Sequence, residues 1–247
     1  MTKLQGKSAL VTGGTSGIGR AAAVALAELG AHVVISGRDT VRGEQVVQEI
    51  RSTGGQADFV AADLRDESSA RSLAAQARDL AGHVDILVNN AGIYPFSATH
   101  ETSEQEFDAV IALNVKAPYF LVAELAPGMA ERGDGAIINL STMAAELGVP
   151  GASLYGASKA ALVLMTKAWA AEYGPYGVRV NAVSPGAIRT EGTAKMGEDF
   201  DQLAAQAPAG RPGTAEEIAD AITFLATDRS SFVHGAILSV DGGRTAV

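Results

Sequence analysis

Short runs of β-branched and other apolar residues alternate with longer Ala-rich stretches along the whole chain, and this rhythm restricts the fold more than any other feature. Strands are predicted at 8–11, 31–35, 58–61, 85–88, 136–140, 178–183 and 237–240, and helices near 17–29, 41–52, 67–81, 103–130, 153–173 and 214–227. The strand runs lack polar–apolar alternation, as strands covered on both faces should. Right-handed helical crossovers between parallel strands then follow, giving an α/β, Rossmann-type doubly wound parallel sheet of about seven strands with helices on both faces. No Pro/Ser-rich linker, charge block or repeat divides the 247 residues, so 1–247 is read as one domain. The longest irregular stretch, 190–212, carries Glu191, Gly192, Glu198, Asp199, Pro208, Gly210 and Pro212. It is either a functional loop or the seat of a short helix near 199–206.

Composition removes several classes of function. Nineteen Lys and Arg against 28 Asp and Glu leave a formal charge of −9, which disfavours nucleic acid as a partner. There is no cysteine, hence no disulfide and no thiolate metal site. His32, His83, His100 and His234 are scattered without metal-ligand spacing, so no metal is expected. Residues 1–7 lack the apolar stretch of a signal peptide and no run of 18 apolar residues occurs. The expectation is a cytoplasmic protein with no membrane partner.

The first strand leads straight into Thr12-Gly13-Gly14-Thr15-Ser16-Gly17-Ile18-Gly19 and then an Ala-rich helix. Glycines at a strand-to-helix junction permit a tight turn and close approach of a pyrophosphate, which the free N–H groups of the helix start can hold. The spacing differs from the common G-x-G-x-x-G pattern. The second strand ends in Ile35-Ser36-Gly37-Arg38, with no carboxylate for a ribose 2′-hydroxyl. Arg38 suits the 2′-phosphate of NADP, and one charge-assisted hydrogen bond is worth about 1.5–3 kcal/mol, or roughly a 10- to 150-fold preference. Ser16 adds a hydroxyl. NADP(H) is therefore favoured over NAD(H).

Tyr155 and Lys159, in Tyr155-Gly156-Ala157-Ser158-Lys159, fall four residues apart on the predicted helix 153–173 and so share a face. A phenol ordinarily ionises near pH 10. A cation about 4 Å away favours its ionised form by up to about 4 kcal/mol at an effective dielectric of about 20, on the order of three pKa units. The pair predicts proton transfer to or from a substrate oxygen. Such spacing also arises by chance, so its weight rests on the motifs around it.

Taken in order, these motifs resemble those of the short-chain dehydrogenases/reductases over nearly the whole chain. Residues 12–19 are similar to the family's glycine motif, Asp63-Leu64 to its adenine-contacting pair, and Asn89-Asn90-Ala91-Gly92 to the motif after its fourth strand. Asn114 stands where the family has its catalytic asparagine, Pro185-Gly186-Ala187-Ile188-Arg189-Thr190 resembles the nicotinamide-side turn, and Val240-Asp241-Gly242-Gly243 the C-terminal signature. The resemblance implies hydride transfer between a nicotinamide and a carbonyl or carbinol carbon. In that reading Tyr155 is the general acid/base, Lys159 holds the nicotinamide ribose and favours tyrosinate, and Asn114 positions a relay water. The family's Ser-Ser pair is here Ser141-Thr142. Thr142 takes the substrate-oxygen role, its extra methyl narrowing the pocket, with Ser141 as the weaker candidate.

Tyr94, Pro95, Phe96, Met143, Ala144, Ala145, Leu147, Val149 and Leu154 predict a mainly apolar wall, or in part ordinary core. That wall implies a small ketone or secondary alcohol as substrate. The resemblance also extends to β-ketoacyl-acyl-carrier-protein reductases, which carry docking cations where this chain has Gly133 and Tyr176. With 130–134 lacking a basic cluster and a charge of −9, that activity is the runner-up. A non-catalytic NADP(H)-binding regulator is a third reading. Relatives imply a homotetramer, for which Trp169 with Ala161, Leu164, Met165 and Ala168 offer a contact face, or else pack internally.

Overall fold

A computed structural model describes residues 4–247, apart from the side chains of Lys195 and Asp199. The start of the 1–7 segment and the Asp199 side chain thus lie outside the described residues. In chain order the elements are β1 (Ser8–Thr12), α1 (Gly17–Glu28), β2 (His32–Gly37), α2 (Thr40–Ser52), β3 (Gln56–Ala61), α3 (Glu67–Ala81) and β4 (Ile86–Asn89). Then come α4 (Glu104–Ile111), α5 (Ala117–Arg132), β5 (Gly135–Leu140), α6 (Ser153–Tyr173) and β6 (Val178–Pro185). The chain finishes with β7 (Ile188–Arg189), α7 (Gly197–Ala205), β8 (Gly213–Thr214), α8 (Ala215–Ala226) and β9 (Ile237–Val240).

Seven strands form one parallel sheet in the order β3-β2-β1-β4-β5-β6-β9. The chain begins at β1, winds out to β3, returns to β4 and winds the other way. Strand order reverses between β1 and β4, and in open α/β sheets ligands settle outside the strand ends at such a reversal. β1, β4 and β5 are buried along their whole length, which explains their unbroken apolar runs. Successive residues still face opposite ways: Ala9 and Val11 pack with Leu26, Ile50 and Ile222 of α1, α2 and α8, whereas Leu10 packs with Leu73, Leu121 and Leu162 of α3, α5 and α6. The predicted doubly wound sheet is thereby borne out.

Local chemistry sets the helix ends. Asp66 with Ser69, and Thr214 with Glu217, make capping boxes at α3 and α8. Gly133 closes α5 in the left-handed conformation at φ +69°. The stretch Glu104–Arg132 is 29 residues long and apolar enough, by length and composition, to cross a membrane. Here Leu121, Val122, Leu125 and Met129 of that stretch are buried in the core. The 190–212 stretch holds α7 at Gly197–Ala205, close to the predicted 199–206. A small parallel pair, β7 with β8, was not predicted; two residues each carry no readable period.

Candidate active site

Thr12, the last residue of β1, binds the turn after it to the end of β4. Its hydroxyl accepts from the backbone N–H groups of Asn90 and Ala91 at 3.0 Å each, and contacts the Val88 carbonyl at 3.3 Å. The Asn90 amide donates back to the Thr12 and Gly13 carbonyls at 2.9 and 3.1 Å. The glycines leave room for this. A Cβ on Gly19 would fall 2.2 Å from the Gly13 carbonyl oxygen and 2.4 Å from the Asn90 Nδ2, and Gly13 itself sits at φ +64°. Without Cβ atoms at its glycines, the backbone of the turn lies along the cleft.

The cleft has a volume of about 890 Å³, inside the range of about 300–1,000 Å³ common for ligand pockets. Gly13, Thr15, Ser16, Gly17, Ile18 and Gly19 line one end, with Ser36, Arg38, Asp63 and Leu64 beside them. Asn90, Ala91 and Gly92, and Pro185, Gly186, Ile188 and Thr190, line the same cleft. Thr142, Tyr155 and Lys159 face the same space. Residues scattered from 13 to 190 in the sequence are thus gathered on one cleft. Its helix start, which no N-cap side chain of its own satisfies, and its cradle without Cβ atoms fit a dinucleotide. Arg38 is exposed and has no acidic partner among the described residues, unlike Arg42, paired with Asp39, and Arg65, paired with Asp63 at 2.6 Å.

α6 carries Tyr155 and Lys159 one turn apart. Lys159 is 4% exposed, and its Nζ donates to the Leu140 carbonyl at the end of β5, 2.7 Å away. Burial lowers its pKa from 10.5 to about 8. The expected fall of the tyrosine pKa does not appear: burial pushes the Tyr155 phenol up, the Thr142 hydroxyl pulls it part of the way back, and the Tyr94 phenol adds to the rise. The physical reason is that the ammonium group is directed at a carbonyl, while the half-buried phenol loses part of its hydration beside a second phenol. The Tyr94 and Tyr155 rings lie 6.1 Å apart, tilted by 59°.

Thr142 starts a single 3-10 turn, Met143–Ala145, and its hydroxyl accepts from the Ala144 N–H at 3.3 Å. The neighbouring Ser141 hydroxyl also lines the cleft and is buried with no hydrogen-bond partner among the described residues. Asn114 stands behind the wall, fully buried, in a π-helical turn (Ala112–Lys116) between α4 and α5. Ala117 N–H reaches back to the Ala112 carbonyl there. Pro118 accounts for the wide turn: it has no N–H for the Asn114 carbonyl and its ring crowds that carbonyl in a regular α-helix. The Asn114 side chain is clamped, accepting from Ile93 N–H at 3.0 Å and donating to the Ile93 carbonyl at 2.8 Å and the Ser158 hydroxyl at 3.0 Å. Ser158 in turn donates to the Tyr155 carbonyl at 2.7 Å.

The family model described as "Enoyl-(Acyl carrier protein) reductase" matches residues 13–245. A solved structure described as a short chain dehydrogenase/reductase family protein is 53% identical, with a TM-score of 0.92, covering 99% of this chain and 100% of the other. The chain belongs to the short-chain dehydrogenase/reductase family. This short-chain dehydrogenase/reductase is also 41% identical to an uncharacterised oxidoreductase of Thermotoga maritima, over 98% of this chain and 99% of that one. It is 38% identical to gluconate 5-dehydrogenase of Gluconobacter oxydans, over 98% and 96%. A blue fluorescent protein from a metagenomic library, solved in complex with NADPH, is 36% identical with a TM-score of 0.93 over 98% of this chain and 99% of that one. The chain is accordingly an oxidoreductase of a family acting between CH–OH and C=O.

Around the Tyr155 end, Tyr94, Phe96, Met143, Ala144 and Val149 line the cleft of this short-chain dehydrogenase/reductase as predicted, whereas Pro95, Ala145, Leu147 and Leu154 do not. Met196, Phe200 and Leu203 complete the wall from α7 and the turn before it. The sequence pointed to their segment without singling them out, because apolar residues in an irregular stretch carry no period. Trp169 is 6% exposed and packs against Tyr119, so of the two readings for it the internal one holds here.

Proposed function

We propose that this short-chain dehydrogenase/reductase is an NADP(H)-dependent enzyme that interconverts a ketone, or another carbonyl, and a secondary alcohol. The observation that carries the reading is the Tyr155 phenol facing the cleft beside the Thr142 hydroxyl, with Lys159 one turn on. When bound, a nicotinamide supplies or accepts the hydride at its C4. Thr142 and Tyr155 donate hydrogen bonds to the substrate oxygen, and Tyr155 gives that oxygen its proton in reduction or takes it in oxidation. Lys159 holds the nicotinamide ribose and offsets the charge of the tyrosinate. Asn114, clamped to Ile93 and Ser158, orients the water through which the proton is restored. Gly13, Thr15, Ser16, Gly17, Ile18 and Gly19 cradle the pyrophosphate. Asp63 and Leu64 hold the adenine, and Asn90, Ala91 and Gly92 the middle of the cofactor. Pro185, Gly186, Ile188 and Thr190 hold the nicotinamide.

Preference for NADP(H) rests on Ser36 and on the unpaired guanidinium of Arg38, and the NADPH-bound relative supports it. The mainly apolar wall suits a small ketone or secondary alcohol better than a sugar acid. Residues 1–247 act as one dinucleotide-binding and catalytic domain with 190–212 on the substrate side. The protein works in the cytoplasm as a homotetramer, without nucleic acid or membrane partners. A second reading, reduction of a β-ketoacyl group on an acyl carrier protein, is favoured by the description of the matching family model. Against it, Lys7 is paired with Asp134, and Arg132 is turned to the Val84 carbonyl and Asp85, which leaves little free positive charge beside Gly133 for an acidic carrier.

The test is a fluorescence titration with NADPH and NADH, run beside a panel of ketones, sugar acids and β-ketoacyl thioesters. The proposal expects NADPH to bind at least tenfold more tightly, with Arg38→Ala removing the difference, and small ketones to turn over best. Binding without turnover of any carbonyl or alcohol would favour the regulator.

A further inference from the structure

Helix α1 begins without a cap of its own. Ser16 is extended at its N-cap (φ −162°, ψ 170°), its side chain caps nothing, and the first turn carries no acidic residue. By contrast α2, α3, α4 and α8 are capped by Asp39, Asp66, Ser103 and Thr214 at their own starts. The anion at α1 comes from far along the chain: the Glu191 carboxylate accepts from the Gly17 N–H at 3.1 Å. The residue before it closes over the same turn, with Thr190 Cγ2 3.2 Å from where a Gly17 Cβ would lie. The residue after it reaches the catalytic wall, since a Cβ on Gly192 would fall 2.3 Å from the Tyr94 hydroxyl. One short strap, 190–192, thus touches the helix start at one end and the neighbour of Tyr155 at the other.

Oppositely placed demands meet at Gly17. A pyrophosphate on this helix start needs the same N–H and brings negative charge against a carboxylate. We propose that Glu191 is an internal competitor for the pyrophosphate seat, a positioning residue that latches the 190–192 strap over the cleft until a dinucleotide displaces it. This rests on the dinucleotide reading of the cleft. The latch lowers cofactor affinity, and its release frees Gly192 to move away from Tyr94, so cofactor arrival reshapes the substrate wall.

The experiment compares the intact protein with Glu191→Gln, which keeps an oxygen to accept from Gly17 but removes the charge. Binding is measured without substrate for three probes: NADPH, ADP, which carries a pyrophosphate, and adenosine 2′-monophosphate, which does not. The latch predicts about two- to fivefold tighter binding of NADPH and ADP to the variant, the size of a helix-terminus charge effect, and an unchanged constant for adenosine 2′-monophosphate. Unchanged or weaker NADPH binding would overturn it, because Glu191 would then be idle or a cofactor ligand. Equal tightening of all three probes would overturn it as a general charge effect. If the parent binds neither NADPH nor NADH, the dinucleotide reading falls, and the latch with it; any other failure leaves that reading standing.

Discussion

At the scale of single residues, the proposed mechanism puts the pH behaviour of the site on Lys159. It is held at 4% exposure by one carbonyl contact, and burial brings its pKa down to about 8. The group is a cation below about pH 8 and neutral above, so any step that needs its charge fades as pH rises through that value. Carbonyl reduction is expected to hold steady from pH 6 to 7 and to fall through about pH 8, read as kcat/KM. The Tyr155 phenol does not cause that fall, since its pKa is raised and it keeps its proton over the same range. A flat profile to pH 9.5 would contradict the assignment. Thr142 and Ser141 are separable in the same assay. Thr142→Val keeps the shape and removes the hydroxyl, and is expected to cost about 10- to 150-fold in kcat/KM, the worth of about 1.5–3 kcal/mol. Thr142→Ser should retain most of the rate. If Ser141→Ala proves the costly change instead, the substrate-oxygen role belongs to the buried, unpartnered serine.

At the scale of elements, the strand-to-helix turn after β1 and the helix pair α4–α5 show what the sequence can and cannot display. The glycine turn was legible because only residues without Cβ fit where Gly19 meets Gly13 and Asn90. Gly19→Ala is expected to cost about 1–3 kcal/mol of stability by overpacking, and to weaken cofactor binding. Gly128→Ala in α5, where a Cβ would meet only Arg132 Nη1 at 3.4 Å, should instead stabilise by about 0.8–1 kcal/mol. Paired thermal melts check both. The stretch 103–130 read as one helix, and the π-turn at Asn114 was hidden in it, although Pro118 was its visible cause. A period of 3.6 says where a helix lies, not where one residue is inserted. Tyr155 and Lys159 were legible as neighbours, but their charges were not: the direction of Nζ towards Leu140 and the burial of the phenol are tertiary facts. Glu191 was visible as a loop residue, while its contact with Gly17 depends on a fold that joins positions 174 residues apart.

At the scale of the molecule, the seven-stranded sheet gathers its motifs because strand order reverses between β1 and β4. Alternation of strands and helices was enough to foresee that sheet, since parallel crossovers leave few topologies. The assembly was less legible. Leu164, at 69% exposed, and Tyr119, at 50%, remain uncovered on α6 and α5. A tetramer that covers them should sediment at four times the mass of the 25.2 kDa chain, and Leu164→Glu should shift it towards smaller species. The central claim, that Tyr155 moves a proton at the end of a dinucleotide cleft, is tested most directly by NADPH consumption on a panel of small ketones with Tyr155→Phe beside the parent. The account predicts that the variant still binds NADPH but loses about 100- to 10,000-fold in turnover. Equal turnover by parent and variant would contradict it.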